Sequence, residues 1–208
     1  MGLVTRWEEY ARQYGWGGLV QHLILRVLRP VWERSSAQLL VMEPPARPLG
    51  ARVPIRIELL TRDQADAEGL LTPRLDQRWS RGDLCFGAWR EDRLVHLSWV
   101  SFGHSYIGEL HSSLRLEPGE AYVYDCFTDG SCRGQGIFPA VLAHVAETMF
   151  QSGIQRLWIA VEEENRSSAK AILRAGFQPA GELRYRRVGP WTQRAVERAP
   201  GVPAFRIE

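Results

Sequence analysis

Two periodicities divide the chain. Between Leu19 and Val31 the apolar residues Leu19, Val20, Leu23, Ile24, Val27, Leu28 and Val31 recur every three or four positions, with His22, Arg26 and Arg29 opposite them. That spacing predicts an amphipathic helix, bent or ended near Pro30. Residues 43–50 read Glu-Pro-Pro-Ala-Arg-Pro-Leu-Gly and cannot continue a helix or a central strand, because the prolines remove donors and fix the backbone. The domain boundary is placed there: 1–50 is an N-terminal amphipathic helical extension with a Pro-rich linker, and 51–208 is the main domain.

Beyond the boundary the pattern changes. Ile55–Leu60 reads as a strand and Arg62–Leu71 as a helix, with irregular or helical chain to Arg81. Leu84–Trp89 and Leu94–Phe102 form a hairpin around the polar turn Glu91-Asp92-Arg93. Ala121–Thr128 is aromatic and β-branched enough for a strand, and Val141, Leu142, Val145 and Met149 give Ile137–Gln151 a helical stripe that Gly153 closes. Arg156–Glu162 is the next strand. Asn165 or Ser167 caps a helix to Ala175, stopped by Gly176-Phe177. A strand region follows over Gln178–Val188, and Val202–Ile207 is a candidate edge strand. There is no internal repeat.

Composition narrows the function classes. The formal charge is +2 over 208 residues, which gives nucleic-acid binding little support. Cys85, Cys126 and Cys132 are odd in number and form no CxxC pair, so they build neither a disulfide framework nor an ordinary zinc site; a reducing, cytoplasmic setting is expected. His96, His104 and His111 lack metal-ligand spacing, so packing or loop polarity accounts for them and no metal is expected. The first residues do not read as a signal peptide, and no uncharged run approaches the roughly 20 residues that cross a bilayer. Trp16, Trp32 and the arginines of 16–34 leave a weak membrane-surface contact open, beside the simpler reading of packing on the main domain. A homodimer is left open as well.

The most informative segment is Asp125-Cys126-Phe127-Thr128-Asp129-Gly130-Ser131-Cys132-Arg133-Gly134-Gln135-Gly136-Ile137, between a strand and a helix. Gly134 and Gly136 let backbone approach a bound group, and the helix they open presents unpaired N–H groups and a positive dipole end. That is an anion site suited to a pyrophosphate. It is not a P-loop, since no Gly-Lys-Ser/Thr ends it, and Pro139 occupies the third glycine position of a dinucleotide fingerprint.

One strand later stands Asn165-Arg166-Ser167-Ser168-Ala169-Lys170-Ala171-Ile172-Leu173-Arg174-Ala175-Gly176-Phe177. Together these segments resemble the GCN5-related N-acetyltransferase superfamily. The resemblance covers about 120–188 well, extends more weakly over 55–119, and does not reach 1–50. It implies an α/β fold of the α+β kind, a central mixed and mostly antiparallel sheet flanked by helices, with the N-terminal helical extension added. It also implies acetyl-CoA or another acyl-CoA as co-substrate, with the Arg-Gly-x-Gly turn on the pyrophosphate and the later helix beside the pantetheine arm. The cofactor set it implies is Phe127, Thr128, Arg133, Gly134, Gln135, Gly136, Ile137 and Asn165. Two positions depart from the family: Ser131 replaces the usual Gln or Arg, and Ile172 stands where many relatives carry a tyrosine that protonates the departing thiolate.

The chemistry sets requirements of its own. An alkylamine of pKa ~10.4 is neutral about once in 2,500 molecules at pH 7, a penalty near 4.6 kcal/mol, so a base or a desolvating pocket is valuable. Glu120 lies at the spacing from Gly134 where the histone acetyltransferase branch of the family carries its base, with Tyr122 and Tyr124 on its strand face. Glu120 is the candidate general base and the tyrosines the candidates for orienting the acceptor; a solvated Glu after a Pro-Gly turn is the alternative. Backbone N–H groups near Phe127 and Thr128 would polarise the thioester carbonyl, as the resemblance implies. The functional expectation is direct acyl transfer to a small-molecule or peptide amine. A non-catalytic acyl-CoA sensor is one alternative. The other is a longer-chain acyltransferase that draws on acyl-CoA or acyl carrier protein at a membrane surface.

Overall fold

The computed structural model describes residues 32–70, 72–108 and 112–208. The helix expected over Leu19–Val31 therefore lies outside the described residues, as do residues 16–31 of the segment weighed for membrane contact, and His111. The strands are β1 (Trp32–Met42), β2 (Arg56–Leu59), β3 (Leu84–Arg90), β4 (Arg93–Ser101), β5 (His104–Ile107), β6 (Ser112–Arg115), β7 (Glu120–Thr128), β8 (Arg156–Glu162), β9 (Gln178–Val188), β10 (Trp191–Arg198) and β11 (Arg206–Ile207). The helices are α1 (Arg62–Ala67), α2 (Pro73–Ser80), α3 (Ile137–Gln151) and α4 (Arg166–Ala175).

The described residues divide into a larger unit, 36–183 with 196–208, and a smaller one, 32–35 with 184–195. In the larger unit β1, β8, β7, β4, β3 and β2 lie side by side. Every neighbouring pair is antiparallel except β7 and β8, which are parallel. This is the mixed sheet flanked by helices that the resemblance implies. In the smaller unit the described residues are the start of β1 and the β9–β10 hairpin, which turns at Gly189-Pro190.

Local chemistry accounts for most boundaries. Thr61 caps α1 by accepting from Gln64 N–H at 3.2 Å, while Gln64 Oε1 accepts from Thr61 N–H at 2.8 Å. That helix ends at Ala67, short of the Leu71 expected, because Gly69 turns left-handed two residues on. Thr72 then caps α2. Asn165 caps α4, and Gly176 (φ 110°) ends it.

Besides β10, which the sequence does not predict, two regions differ from expectation. Residues 32–42, read from sequence as part of the N-terminal extension, form β1, which pairs with β8 from Ala37↔Glu162 to Met42↔Leu157. Leu39, Leu40, Val41 and Met42 are all buried, the continuous apolar run of a strand covered on both faces. Between β4 and β7, where the sequence predicts no element, stands a hairpin, β5–β6, which the two-residue β11 extends into a small second sheet.

Two cores cover the faces of the main sheet. One joins Val141, Leu142, Val145 and Ala146 of α3 and Ile172 and Ala175 of α4 to Val123, Leu157 and Ile159. The other joins Ala65 of α1, with Leu75 and Trp79 of α2 packed against it, to Cys85, Trp89 and Trp99. Burying each such large side chain contributes about 1.5–3 kcal/mol.

Candidate active site

The site begins where two parallel strands part. β7 and β8 pair from Glu120↔Arg156 to Val123↔Ile159 and no further. Beyond that point β7 keeps its ladder with β4, and β8 keeps its ladder with β1. A cavity of about 230 Å³ opens between them, lined among others by Tyr124, Asp125, Cys126, Glu162, Asn165 and Ile172.

A bulge shapes the β7 side. Trp99 pairs with Tyr124 and Leu97 with Phe127, so Asp125 and Cys126 together face the single residue Ser98. Asp125 takes φ 47°, a left-handed conformation that Asp tolerates better than most residues. Its carboxylate accepts from Arg78 Nη2 of α2 at 2.5 Å. Arg78 is itself buried, with its guanidinium 5.0 Å from the Trp99 and Tyr124 ring centres. The Tyr124 hydroxyl donates to Asp83 Oδ2 at 2.7 Å, and Arg81 also donates to Asp83. Burial and the Asp83 carboxylate raise the Tyr124 phenol above its ordinary range, so it stays protonated and serves as a donor.

The loop after β7 forms a tight turn. Asp129 accepts from the Ser131 hydroxyl at 2.5 Å, from Ser131 N–H at 2.9 Å and from Arg93 Nη2 at 2.6 Å. These donors, Ser131 first, hold its carboxyl below the usual range. Ser131 is thus a turn-forming residue. Gly134 (φ 74°) and Gly136 (φ 76°) adopt backbone that other residues enter with strain. Gly136 is the N-cap of α3 and no side chain caps that end. Pro139, third in the helix, has no N–H, so Ile137 and Phe138 carry the first-turn donors without an intrahelical partner. The Gln135 side chain accepts from Arg90 Nη1 at 3.1 Å and donates to the Ser131 carbonyl at 3.4 Å, while its carbonyl accepts from Arg52 N–H at 2.9 Å.

Around this turn lies a cleft of about 520 Å³. Of the expected cofactor residues, Phe127, Thr128, Arg133, Gly134, Gly136, Ile137 and Asn165 line it, and Gln135 is not among the lining residues. It meets the splay cavity at Cys126, Phe138, Asn165 and Ser168, which line both. An uncapped helix end, two left-handed glycines and the cations Arg133, Lys170 and Arg174 fit the pyrophosphate of a coenzyme A thioester.

The expected catalytic residues are not brought together. Tyr122 and Tyr124 stack with centroids 6.3 Å apart, and only Tyr124 lines the splay cavity. Glu120 is 5% exposed at the other end of β7, about 16 Å along the strand from Asp125 at ~3.3 Å per residue. Its Oε1 accepts from Arg156 Nη1 at 2.6 Å and its Oε2 from Glu117 N–H at 2.9 Å, and it lines neither cavity.

Some residues in or behind the walls were read from the sequence only as packing, and others were passed over. His96 is buried, with Nδ1 2.7 Å from Thr128 Oγ1 and Nε2 2.8 Å from Ser98 Oγ, and its ring stacks on Phe138 at 5.6 Å. Burial pushes its pKa down to about 3, so a neutral imidazole holds Thr128 and Phe138 in place. Burial also pushes the Cys126 thiol up to about 12, the opposite of an activated nucleophile. Lys170 and Arg174 carried a signal in their i,i+4 spacing, but only the packing of α4 shows which side faces the cleft.

Comparison with known proteins agrees with this geometry. Residues 56–177 match the model of the acetyltransferase (GNAT) family, and the chain belongs to that family, whose members transfer the acetyl group of acetyl-CoA. No curated protein matches it. Among solved structures it resembles a GCN5-related N-acetyltransferase from Sphaerobacter thermophilus at 14% identity and TM-score 0.56, over 95% of this chain and 70% of that one. It also resembles a GNAT-family acetyltransferase from Colwellia psychrerythraea at 19% identity and TM-score 0.52, over 81% of this chain and 57% of that one. These likenesses concern the fold. Among the described residues no His, Cys, Asp and Glu cluster could hold a metal, and no helix is long and apolar enough to cross a membrane.

Proposed function

We propose that the chain is an acyl-CoA-dependent N-acyltransferase that moves an acyl group, acetyl in the simplest case, directly to an amine within a ternary complex. The observation that carries this reading is the opposed charge of two adjoining cavities. The 520 Å³ cleft is lined by Arg133, Lys170 and Arg174 and by no carboxylate. The splay cavity is lined by Asp125 and Glu162 and by no cation. A polyphosphate donor suits the first and a cationic amine the second.

When bound, the donor supplies a thioester carbon open to attack. The Gly134–Gly136 turn and the first turn of α3 hold its pyrophosphate, and the splay admits the pantetheine arm. Backbone N–H groups of β7 near Phe127 and Thr128 polarise the carbonyl oxygen. Asp125, exposed at the bulge and anchored by Arg78, takes one proton from the ammonium, whose freed lone pair forms the C–N bond as the C–S bond breaks, and the second proton leaves the nitrogen to water. Asp125 is preferred to Glu120 for this step because both Glu120 oxygens are engaged. Tyr124 orients the acceptor. Ile172 lines the cavity without a transferable proton, so the departing thiolate takes its proton from solvent. With a thiol pKa of ~8.5 that protonation is favourable at pH 7 by about 2 kcal/mol.

Calorimetry with acetyl-CoA and coenzyme A tests the donor half, with Gly134→Glu as the control that places a carboxylate in the phosphate turn. Micromolar binding lost in the variant supports the reading, whereas no binding to the parent chain removes it. A screen of alkylamines then separates enzyme from sensor. Binding without acylation of any amine would favour the sensor.

A further inference from the structure

We propose that the β9–β10 hairpin, through Val188 and Trp191 at its tip and the arginines behind them, docks on a membrane surface rich in anionic phospholipid. The proposal concerns the smaller unit and does not depend on reading the two cavities as donor and acceptor sites.

The tip is made by a short turn. β9 ends at Val188 and β10 begins at Trp191, so Gly189 and Pro190 alone connect them. Gly189 takes φ 56°, which glycine enters without strain. Val188 and Trp191 therefore flank the turn as cross-strand neighbours. Val188 is 44% exposed and Trp191 79%, the highest value among the large hydrophobic residues described. Along β9, Leu183 and Tyr185 are buried while Arg184, Arg186 and Val188 are exposed, the alternation of a strand with one covered face. Every residue of β10 is exposed.

The charge around this tip is one-sided. Residues 184–195 contain Arg184, Arg186, Arg187 and Arg194 and no Asp, Glu or Lys, in a chain whose net charge is only +2. Arg187 Nε donates to the Gly189 carbonyl at 3.3 Å, which ties one guanidinium to the turn. An edge strand protected from aggregation accounts for the arginines. It does not account for a tryptophan at the most exposed point among them. An indole beside an apolar neighbour, ringed by guanidinium groups, matches a bilayer interface: the indole sits at headgroup depth, and the arginines meet the phosphates and carboxylates of anionic lipids. Residues 32–35, the described end of the segment weighed for membrane contact from the sequence, belong to the same unit. Both stretches of interfacial composition thus fall in one part of the molecule.

The test is co-sedimentation of the full chain with vesicles of phosphatidylcholine alone and of phosphatidylcholine with one third phosphatidylserine. Each arginine near an anionic surface contributes a factor of roughly five in partitioning, so the parent should prefer the phosphatidylserine vesicles by more than about tenfold. Arg186→Gln should weaken that binding about fivefold, and Arg186→Gln with Arg187→Gln about 30-fold. Arg186 is exposed, so the single variant should unfold at the temperature of the parent. Added salt should release the parent from the vesicles. Bromine-labelled acyl chains should quench part of the parent's fluorescence, and Trp191→Ala should remove that part, which separates this indole from the rest of the eight tryptophans. Equal binding to both vesicle types, sedimentation with neither, or variants that bind and quench like the parent would overturn the proposal. So would duplex DNA or single-stranded RNA bound as tightly as the anionic vesicles and lost in the same variants, since the hairpin would then be a nucleic-acid surface. None of these outcomes bears on the donor and acceptor assignments, which calorimetry and the amine screen test separately.

Discussion

Replacing Glu120 with glutamine distinguishes a residue that holds the fold from one that works on the substrate. The side chain is 4% exposed and its carboxylate takes two hydrogen bonds, one from Arg156 at 2.6 Å and one from Glu117 N–H at 2.9 Å. Cutting one partner out of a fully buried ion pair costs about 3–5 kcal/mol. Here Arg156 is 34% exposed and keeps Glu43 at 3.3 Å, so water and that carboxylate recover part of the loss. Glutamine retains the shape and one acceptor oxygen. The expected cost is therefore about 2 kcal/mol, the range of one charged hydrogen bond. At this chain length that is a fall of roughly 4–8 °C in Tm. Arg156→Met should cost a similar amount, and the double variant should show coupling of about 1–2 kcal/mol. The assay pairs thermal unfolding with steady-state kinetics on any amine the parent accepts. Turnover below Tm should stay within a few-fold of the parent. A Tm unchanged within a degree, with kcat down by the factor of about 10² to 10⁴ that a general base contributes, would refute this and restore Glu120 as the base.

Other perturbations reach the site itself. Asp125→Asn should lower kcat for amine acylation by about 10² while the acetyl-CoA affinity measured by calorimetry holds; equal turnover would remove Asp125 from the mechanism. Cys126→Ser should keep turnover within a few-fold, and a covalent acyl-enzyme on Cys126 detected by mass spectrometry would contradict this. His96 resists protonation until about pH 3, whereas in the unfolded chain it protonates near 6.5. Between those values the unfolded state binds the extra proton, so stability falls as the pH drops, by about 1.4 kcal/mol per unit at most. Urea titrations from pH 7 to 4.5 should show that slope, and His96→Gln should flatten it. A chain starting at residue 43 loses the four buried residues Leu39–Met42, a loss of about 6–12 kcal/mol against a typical total of 5–15. It should lack a cooperative unfolding transition by circular dichroism.

Where punctuation is strong, the sequence is enough to place elements. Ile137–Gln151, Arg156–Glu162 and Gln178–Val188 have the ends that their glycines and caps imply, because Gly136, Gly153 and Asn165 act on neighbouring backbone. The left-handed turn at Gly134 and Gly136 was legible for the same reason. What joins distant chain was not. Arg78 meets Asp125 across 47 positions and Glu120 meets Arg156 across 36, pairings created by the placement of α2 and by the parallel register of β7 and β8. The family resemblance made Glu120 a candidate base, and the register of β7 and β8 pairs it with Arg156. β1 was hidden because a short buried run, Leu39–Met42, directly before a proline-rich stretch, has no alternation to mark it as a strand.

That hidden strand is part of what makes the site. Two parallel neighbours that separate each abandon a row of backbone donors and acceptors, at a cost comparable to a lost hydrogen bond for every buried group left unpaired. The row that β7 abandons faces the splay, while β4 follows its other edge through the bulge to Thr128 and holds the strand in place. β1 does the same for the outer edge of β8 as far as Glu162, with Leu39↔Ala160, Gln38↔Val161 and Ala37↔Glu162 beyond the last β7 pair. The opening proposed to receive the thioester is therefore held from outside by two ladders, and one of them comes from residues that precede the 56–177 match to the family. Conserving the cofactor turn alone would not preserve the opening. It also requires a strand at the position of β1, whichever part of a chain supplies it.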